Sequence, residues 1–200
     1  MKTTIKEKCA MSQRNGTHAT IYELMRDPAQ RNKDQLRDDK KRFPFVQGST
    51  YNGQWLNDKK HGFGTLVYPD GTKYEGDWVA DLQHGNGTLW IKSGKKSIKE
   101  YVGNWSEGNM EGFGTFHYPN GEVYKGDWIH NARHGNGRLE FPNGDYFVGD
   151  WEYDVRKGIG IMYFKNGNIF EGMWIDGKKD GMGKYFYAST SKVMNAISQH

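Results

Sequence analysis

Six times along this chain an aromatic residue is followed by glycine two positions on and by tryptophan four positions on. The runs are YNGQW from Tyr51, YEGDW from Tyr74, YVGNW from Tyr101, YKGDW from Tyr124, FVGDW from Phe147 and FEGMW from Phe170, at spacings of 23, 27, 23, 23 and 23 residues. Eleven residues after each leading aromatic comes a Gly-x-Gly, from Gly62/Gly64 to Gly181/Gly183. Four units close on a turn signal, PDG at 69–71, PNG at 119–121, PNG at 142–144 and KNG at 165–167. A unit this short cannot bury a core alone. It must stack on its neighbours, so the period restricts the chain to a repeat array with nearest-neighbour stability and vulnerable ends.

Within a unit the alternation is that of strands. Tyr51, Gly53 and Trp55 alternate with Asn52 and Gln54, and Gly62, Gly64, Leu66 and Tyr68 alternate with Phe63, Thr65 and Val67. The polar NDKKH between them reads as a loop, and PDG as the turn into the next unit. Each unit is then a β-hairpin, and six units make about twelve antiparallel strands. A register consistent with this sets Trp55 against Gly62, Gly53 against Gly64 and Tyr51 against Leu66, with Tyr68 facing Tyr74 and Gly64 facing Trp78 across the next turn. Glycine weakens a strand, but a missing side chain leaves room for a ring, and burying that ring returns the energy. The expected fold is all-β: a single-layer, elongated, twisted antiparallel sheet about 55–60 Å long at ~4.8 Å per strand. The composition agrees, with 27 glycines, 7 Trp, 12 Tyr and 10 Phe against only 35% apolar residues, which suits a thin sheet better than a deep globular core.

YxGxW followed by Gly-x-Gly and closed by P-[DN]-G resembles the MORN (membrane occupation and recognition nexus) repeat. The resemblance covers six units, 49–187, with repeats starting near 51, 74, 101, 124, 147 and 170. It implies an interaction module and leaves the partner open. The second unit departs from the pattern: IKSGKKSIKE at 91–100 adds four residues and carries Lys92, Lys95, Lys96 and Lys99.

Residues 1–48 align with no repeat. Residues 1–47 hold 11 of the 28 basic and 6 of the 24 acidic residues, a net of +5 against −1 for the rest, so the basic character belongs to this arm. THATIYELM and the stretch from Asp27-Pro28 suit short helices, and a charged, aliphatic-poor arm of this kind is expected to be partly helical or disordered. Residues 188–200 are expected to form a C-terminal tail or cap. Gln13-Arg14-Asn15-Gly16, the Tyr22 region and the lengthened second unit resemble short MORN-repeat proteins of ciliated and flagellated cells. That resemblance implies an axonemal, microtubule-associated component. The single Cys9 offers no intramolecular disulfide, the N-terminal stretch has no signal-like apolar region and no run is long enough to span a bilayer. The chain therefore reads as cytoplasmic, with the sequons at Asn15, Asn86 and Asn104 unused, and the resemblance implies a place on the cytoskeleton.

Candidate chemistry dissolves when the six units are laid side by side. His61, His84 and His134 precede Gly-x-Gly, but Glu111, Lys157 and Asp180 fill the same slot, and equivalent slots lie roughly 9–10 Å apart, too far to share a zinc ion. Glu75 and Asp77 flank Gly76 as a carboxylate pair would, yet other units hold Asn52/Gln54 or Glu171/Met173 there, so both read as solvent-facing. Gly-x-Gly precedes no phosphate-binding helix and there is no GxxxxGK[ST]. No enzyme, no cofactor, no metal and no nucleic-acid partner is expected.

Partner proteins are. The candidate surface is the aromatic stripe Tyr51, Trp55, Tyr74, Trp78, Tyr101, Trp105, Tyr124, Trp128, Phe147, Trp151, Phe170 and Trp174, a potential groove for a partner segment if one sheet face stays open. Trp90, His117 and Tyr163 mark a second, more variable face. Basic contacts are expected at Lys40, Lys41 and Arg42 of the arm and at Lys92, Lys95, Lys96 and Lys99 of the insert, toward the acidic tails of tubulin or, alternatively, an anionic phospholipid surface, worth about 1 kcal/mol per basic residue near the membrane. Oligomeric state is left open.

Overall fold

A computed structural model describes residues 47–188, so the expectations for the arm, including Lys40, Lys41 and Arg42, and for the tail beyond 188 lie outside the described residues. The described chain is one open antiparallel sheet of twelve strands in sequence order: β1 Thr50–Leu56, β2 Lys59–Val67, β3 Lys73–Val79, β4 Leu82–Ser93, β5 Lys96–Ser106, β6 Asn109–His117, β7 Val123–Ile129, β8 Ala132–Glu140, β9 Tyr146–Glu152, β10 Val155–Tyr163, β11 Ile169–Ile175 and β12 Lys178–Phe186. Each repeat is one hairpin, as the period-two alternation requires.

The loop inside the hairpin is shorter than the polar stretch suggested. In the first unit it is only Asn57 and Asp58, both at positive φ (50° and 58°), and Lys59 and Lys60 already belong to β2. A two-residue turn with both residues left-handed matches the twist of the strands it joins. The residues that NDKKH seemed to give to a loop instead enter a bulge. Gly53 pairs with Gly64 and Trp55 pairs with Lys60, so three residues, 61–63, lie opposite Gln54 alone. Gly62 stands in this bulge at φ +62°, and the equivalent glycines of the other five units lie between +57° and +72°. A side chain is costly there, which explains the first glycine of Gly-x-Gly.

The bulge corrects part of the expected register. Tyr51 opposite Leu66 and Gly53 opposite Gly64 hold, but Trp55 faces Lys60 and not Gly62. Across the next junction Gly62 faces Trp78, Gly64 faces Gly76 and Leu66 faces Tyr74, two residues off the expected pairing of Gly64 with Trp78 and Tyr68 with Tyr74. The turn is centred on Asp70, one residue earlier than that pairing placed it: Tyr68 N–H donates to the Thr72 carbonyl and Gly71 N–H to the Tyr68 carbonyl, while Asp70 Oδ1 accepts from Thr72 N–H. The lysine-rich insert replaces this turn. β4 and β5 run on past the sheet as a longer hairpin, closing through Ser93 opposite Lys96.

Candidate functional site

The second glycine of Gly-x-Gly and the glycine of YxGxW pair across each hairpin, and the ring of that hairpin's own leading aromatic lies over the pair. A Cβ built on Gly64 would sit 2.2 Å from Tyr51 Oη, and one on Gly87 2.3 Å from Tyr74 Oη. The hydroxyl then donates to the backbone at the bulge, Tyr74 Oη to the Asp77 carbonyl at 3.1 Å and Tyr101 Oη to the Asn104 carbonyl at 2.9 Å. Each stripe tryptophan after Trp55 reaches into the preceding unit, its Nε1–H donating to a glycine carbonyl: Trp78 to Gly64, Trp105 to Gly87, Trp128 to Gly114, Trp151 to Gly137 and Trp174 to Gly160, at 3.1–3.4 Å. Edge-to-face contacts of 5.0–5.6 Å alternate along the stripe, as Tyr51–Trp78, Tyr74–Trp105 and Tyr101–Trp128 show. Such pairs contribute about 0.5–1.5 kcal/mol each beyond their burial.

These rings are the interior. Tyr74, Tyr101, Tyr124 and Phe147 are fully buried, and Trp78, Trp105, Trp128, Trp151 and Trp174 are at most 4% exposed. Burial pushes the phenols of Tyr74, Tyr101 and Tyr124 well above the ordinary tyrosine value. Within the stripe, accessible ring surface is confined to the ends, at Trp55 (58% exposed) with half-buried Tyr51, and at half-buried Phe170.

Sequence reasoning missed what closes the stripe. Five residues after each tryptophan stands Lys60, Gln83, Met110, Arg133, Arg156 or Lys179. Lys60 Nζ lies 5.3 Å from the Trp78 ring centre, and the guanidinium carbons of Arg133 and Arg156 lie 4.3 and 4.4 Å from Trp151 and Trp174. All six have a long unbranched stem, and those of Lys60, Arg133, Arg156 and Lys179 bring their cations over a ring. The turn of the following unit holds the roof in place: Asp81 Oδ1 accepts from Lys60 N–H at 2.9 Å and Lys60 Nζ at 3.0 Å, and Asp154 Oδ1 accepts from Arg133 N–H and Nε–H at 3.0 and 3.1 Å. Burial alone would raise the Asp81 carboxyl, but these Lys60 contacts outweigh it and hold the group below its ordinary value. Asn131 does the same for Met110 N–H.

In the first four units the residue ahead of the tryptophan has a structural task too. Asp77 Oδ2 and Asp127 Oδ2 accept the bulge N–H of Asn86 and Asn136, as Gln54 Oε1 does for Phe63. Asp77 is therefore more than a solvent-facing group, whereas Glu75 is the outer partner of Lys73. His84 and His134 face Asp77 and Asp127 across their hairpins. Among the described residues no three His, Cys, Asp or Glu side chains are grouped to hold a metal ion.

Phe63 and Phe113 are exposed on earlier units, at 56% and 51%, and two larger open surfaces stand out among the described residues. The first is the outward face of β9–β12, where Val148, Ile159, Met173, Met182 and Phe186 are 38%, 62%, 43%, 98% and 50% exposed. Ile159 pairs with Met173, Val148 pairs with Ile161, Tyr146 stacks on Tyr163 at 4.5 Å and Ile169 pairs with Phe186, with Glu171 and Lys184 in the row between the two outer pairs. Of the second face named from sequence, Tyr163 belongs here, His117 pairs outward with Val123, and Trp90 is half-buried under the ammonium groups of Lys73 and Lys99 at 4.7 and 5.2 Å. The second surface is the projecting β4–β5 hairpin, with Lys92, Lys95, Lys96 and Lys99 exposed. At its root Glu100 is only 1% exposed, both carboxylate oxygens lack a hydrogen-bond partner among the described residues, and burial pushes the carboxyl up to about 7. Among the described residues, no helix is long and apolar enough to cross a membrane.

Comparison with known proteins places six copies of one family model, the MORN repeat, on residues 51–73, 74–96, 101–123, 124–146, 147–169 and 170–192. No curated protein matches the chain.

Proposed function

The chain belongs to the MORN-repeat family, and from that premise we propose that it is a non-catalytic scaffold that binds partner proteins through the outward face of its last four strands. The observation that carries this reading is the set of apolar side chains Val148, Ile159, Met173, Met182 and Phe186 exposed on the outward face of β9–β12, while the internal rings of the aromatic stripe are packed inside. An apolar patch on a rigid support marks an interaction site, and the array supplies the rigidity by repeating one junction.

The finer reading is a structural component of cilia or flagella. It rests on the arm's QRNG and Tyr22 region and on the lengthened second unit, which resemble the short MORN repeat-containing protein three of ciliated cells. The exposed lysines of the β4–β5 hairpin suit the acidic tails of tubulin. In cells bearing cilia, a tagged full-length chain should stay with detergent-extracted axonemes, and Ile159→Asp with Met182→Asp should release it without loss of folded signal. Full release of the wild type by detergent would sink the axonemal reading. The same lysines support a second reading, an anionic phospholipid surface. Sedimentation with phosphatidylserine or phosphoinositide vesicles at physiological salt, abolished by Lys→Glu changes at 92, 95, 96 and 99, would favour it.

A further inference from the structure

The two ends of the sheet are halves of the same junction. At the internal junction of β2 with β3, Gly62 faces Trp78 and Gly64 faces Gly76. Trp78 Nε1–H donates to the Gly64 carbonyl, Lys60 Nζ covers the indole, and Asp81 accepts the Lys60 backbone and ammonium protons. β12 offers the first half of this set again. Lys179, Gly181 and Gly183 stand where Lys60, Gly62 and Gly64 stand, every residue of the strand is exposed, and Lys179 Nζ already lies 3.9 Å from the Phe170 ring as Lys60 Nζ lies 5.9 Å from Tyr51. β1 offers the other half. Trp55 and Asp58 stand where Trp78 and Asp81 stand, but Trp55 is 58% exposed against 2–4% for the tryptophans at internal junctions, and Asp58 is exposed.

We propose that β1 of a second copy of this chain adds to β12 of the first, antiparallel, so that the junction between copies repeats the junction between units. The Trp55 indole of one copy enters beneath Lys179 and donates to the Gly183 carbonyl of the other, while Asp58 receives the Lys179 backbone N–H and ammonium. The charges are complementary, the edge groups of both strands that are unpaired among the described residues are satisfied, and the most exposed indole of the stripe is buried. The contact joins different surfaces, so it propagates head to tail unless its rotation closes a ring. It uses the sheet ends and stands independently of the outward-face reading.

The test is the solution mass of the full-length chain, by light scattering and sedimentation velocity over a dilution series. Wild type should grow with concentration beyond two chains. Trp55→Arg and Lys179→Glu, both at exposed edge positions, should each weaken association by about tenfold or more, as expected for a central aromatic or charged anchor. An equimolar mixture of the two variants should restore a discrete species of two chains of 23.0 kDa, because the intact β12 of Trp55→Arg meets the intact β1 of Lys179→Glu. A wild type that stays monomeric, its ends covered by residues 1–46 or 189–200 or otherwise unreactive, overturns the proposal. So does association that neither variant weakens, or a mixture that yields no dimer. Asp58→Arg serves in place of Trp55→Arg if that variant does not fold.

Discussion

Gly87→Ala adds one carbon to a strand and should be among the most damaging single changes in the array. Gly87 does not need a left-handed backbone, so on conformational grounds alanine would stabilise the chain by about 0.4–1 kcal/mol, were there space. There is none: the new Cβ would lie 2.3 Å from Tyr74 Oη, 2.5 Å from Cζ and 2.6 Å from Cε2, with the Gly76 backbone on the facing strand. The ring cannot give way. It is fully buried, edge-on to Trp78 and Trp105 at 5.0 and 5.2 Å, and tied by its hydroxyl to the Asp77 carbonyl. Retaining it under compression costs roughly 1–3 kcal/mol. Expelling it forfeits the burial of a tyrosine, about 4 kcal/mol for 150–200 Å² at ~25 cal/mol/Å², so an overall loss of about 3 kcal/mol is expected. Gly94→Ala is the control: nothing lies within 4 Å, and at φ +60° the change costs only about 1–2 kcal/mol of backbone strain. Both substitutions restrict the unfolded chain alike, so that contribution cancels, and their difference is the close approach at Gly87 less the backbone strain at Gly94. Urea denaturation followed by tryptophan fluorescence, with hydrogen exchange to locate the loss at β3–β5, measures it. If Gly87→Ala proves as stable as Gly94→Ala, the ring-over-glycine account is wrong.

Three further outcomes are expected. Because the folded chain holds the Glu100 proton more tightly than the unfolded one, stability should fall as pH rises from the ordinary carboxylate range to about 7, by on the order of 3 kcal/mol, and level off above; Glu100→Gln should remove this slope in pH-dependent urea titrations. Phe147→Tyr should add the hydroxyl-to-carbonyl bond that Tyr51, Tyr74, Tyr101 and Tyr124 make, raising stability by about 1 kcal/mol in thermal melts, unless the extra oxygen finds no partner at the Asp150 carbonyl. Ala80 holds φ +49° in the β3–β4 turn, so Ala80→Gly should stabilise by up to about 1 kcal/mol in the same melts, against the usual loss on introducing glycine.

The hairpins, their number and the partnership of ring with glycine were legible because the same spacing recurs six times and no other fold uses it economically. The register was not. Whether Gly62 lies opposite Trp55 or within a bulge depends on a left-handed backbone that glycine permits and does not announce. The roof was hidden for a related reason. Lys60, Gln83, Met110, Arg133, Arg156 and Lys179 differ in polarity and agree only in stem length, a property that matters once an indole lies beneath.

The sequence by itself determined that this chain is a linear array of β-hairpins, since a short repeat can bury its aromatics only against its neighbours. The tertiary structure alone decided where each aromatic finds that burial. Two-residue turns and bulges shifted the pairing, seated each tryptophan after Trp55 on the preceding unit and moved the stripe between its ends to the interior. What is left outside, the apolar face of β9–β12, the lysine hairpin and the two unmatched ends, follows from packing between units, and packing depends on side-chain volume and backbone twist acting together across strands.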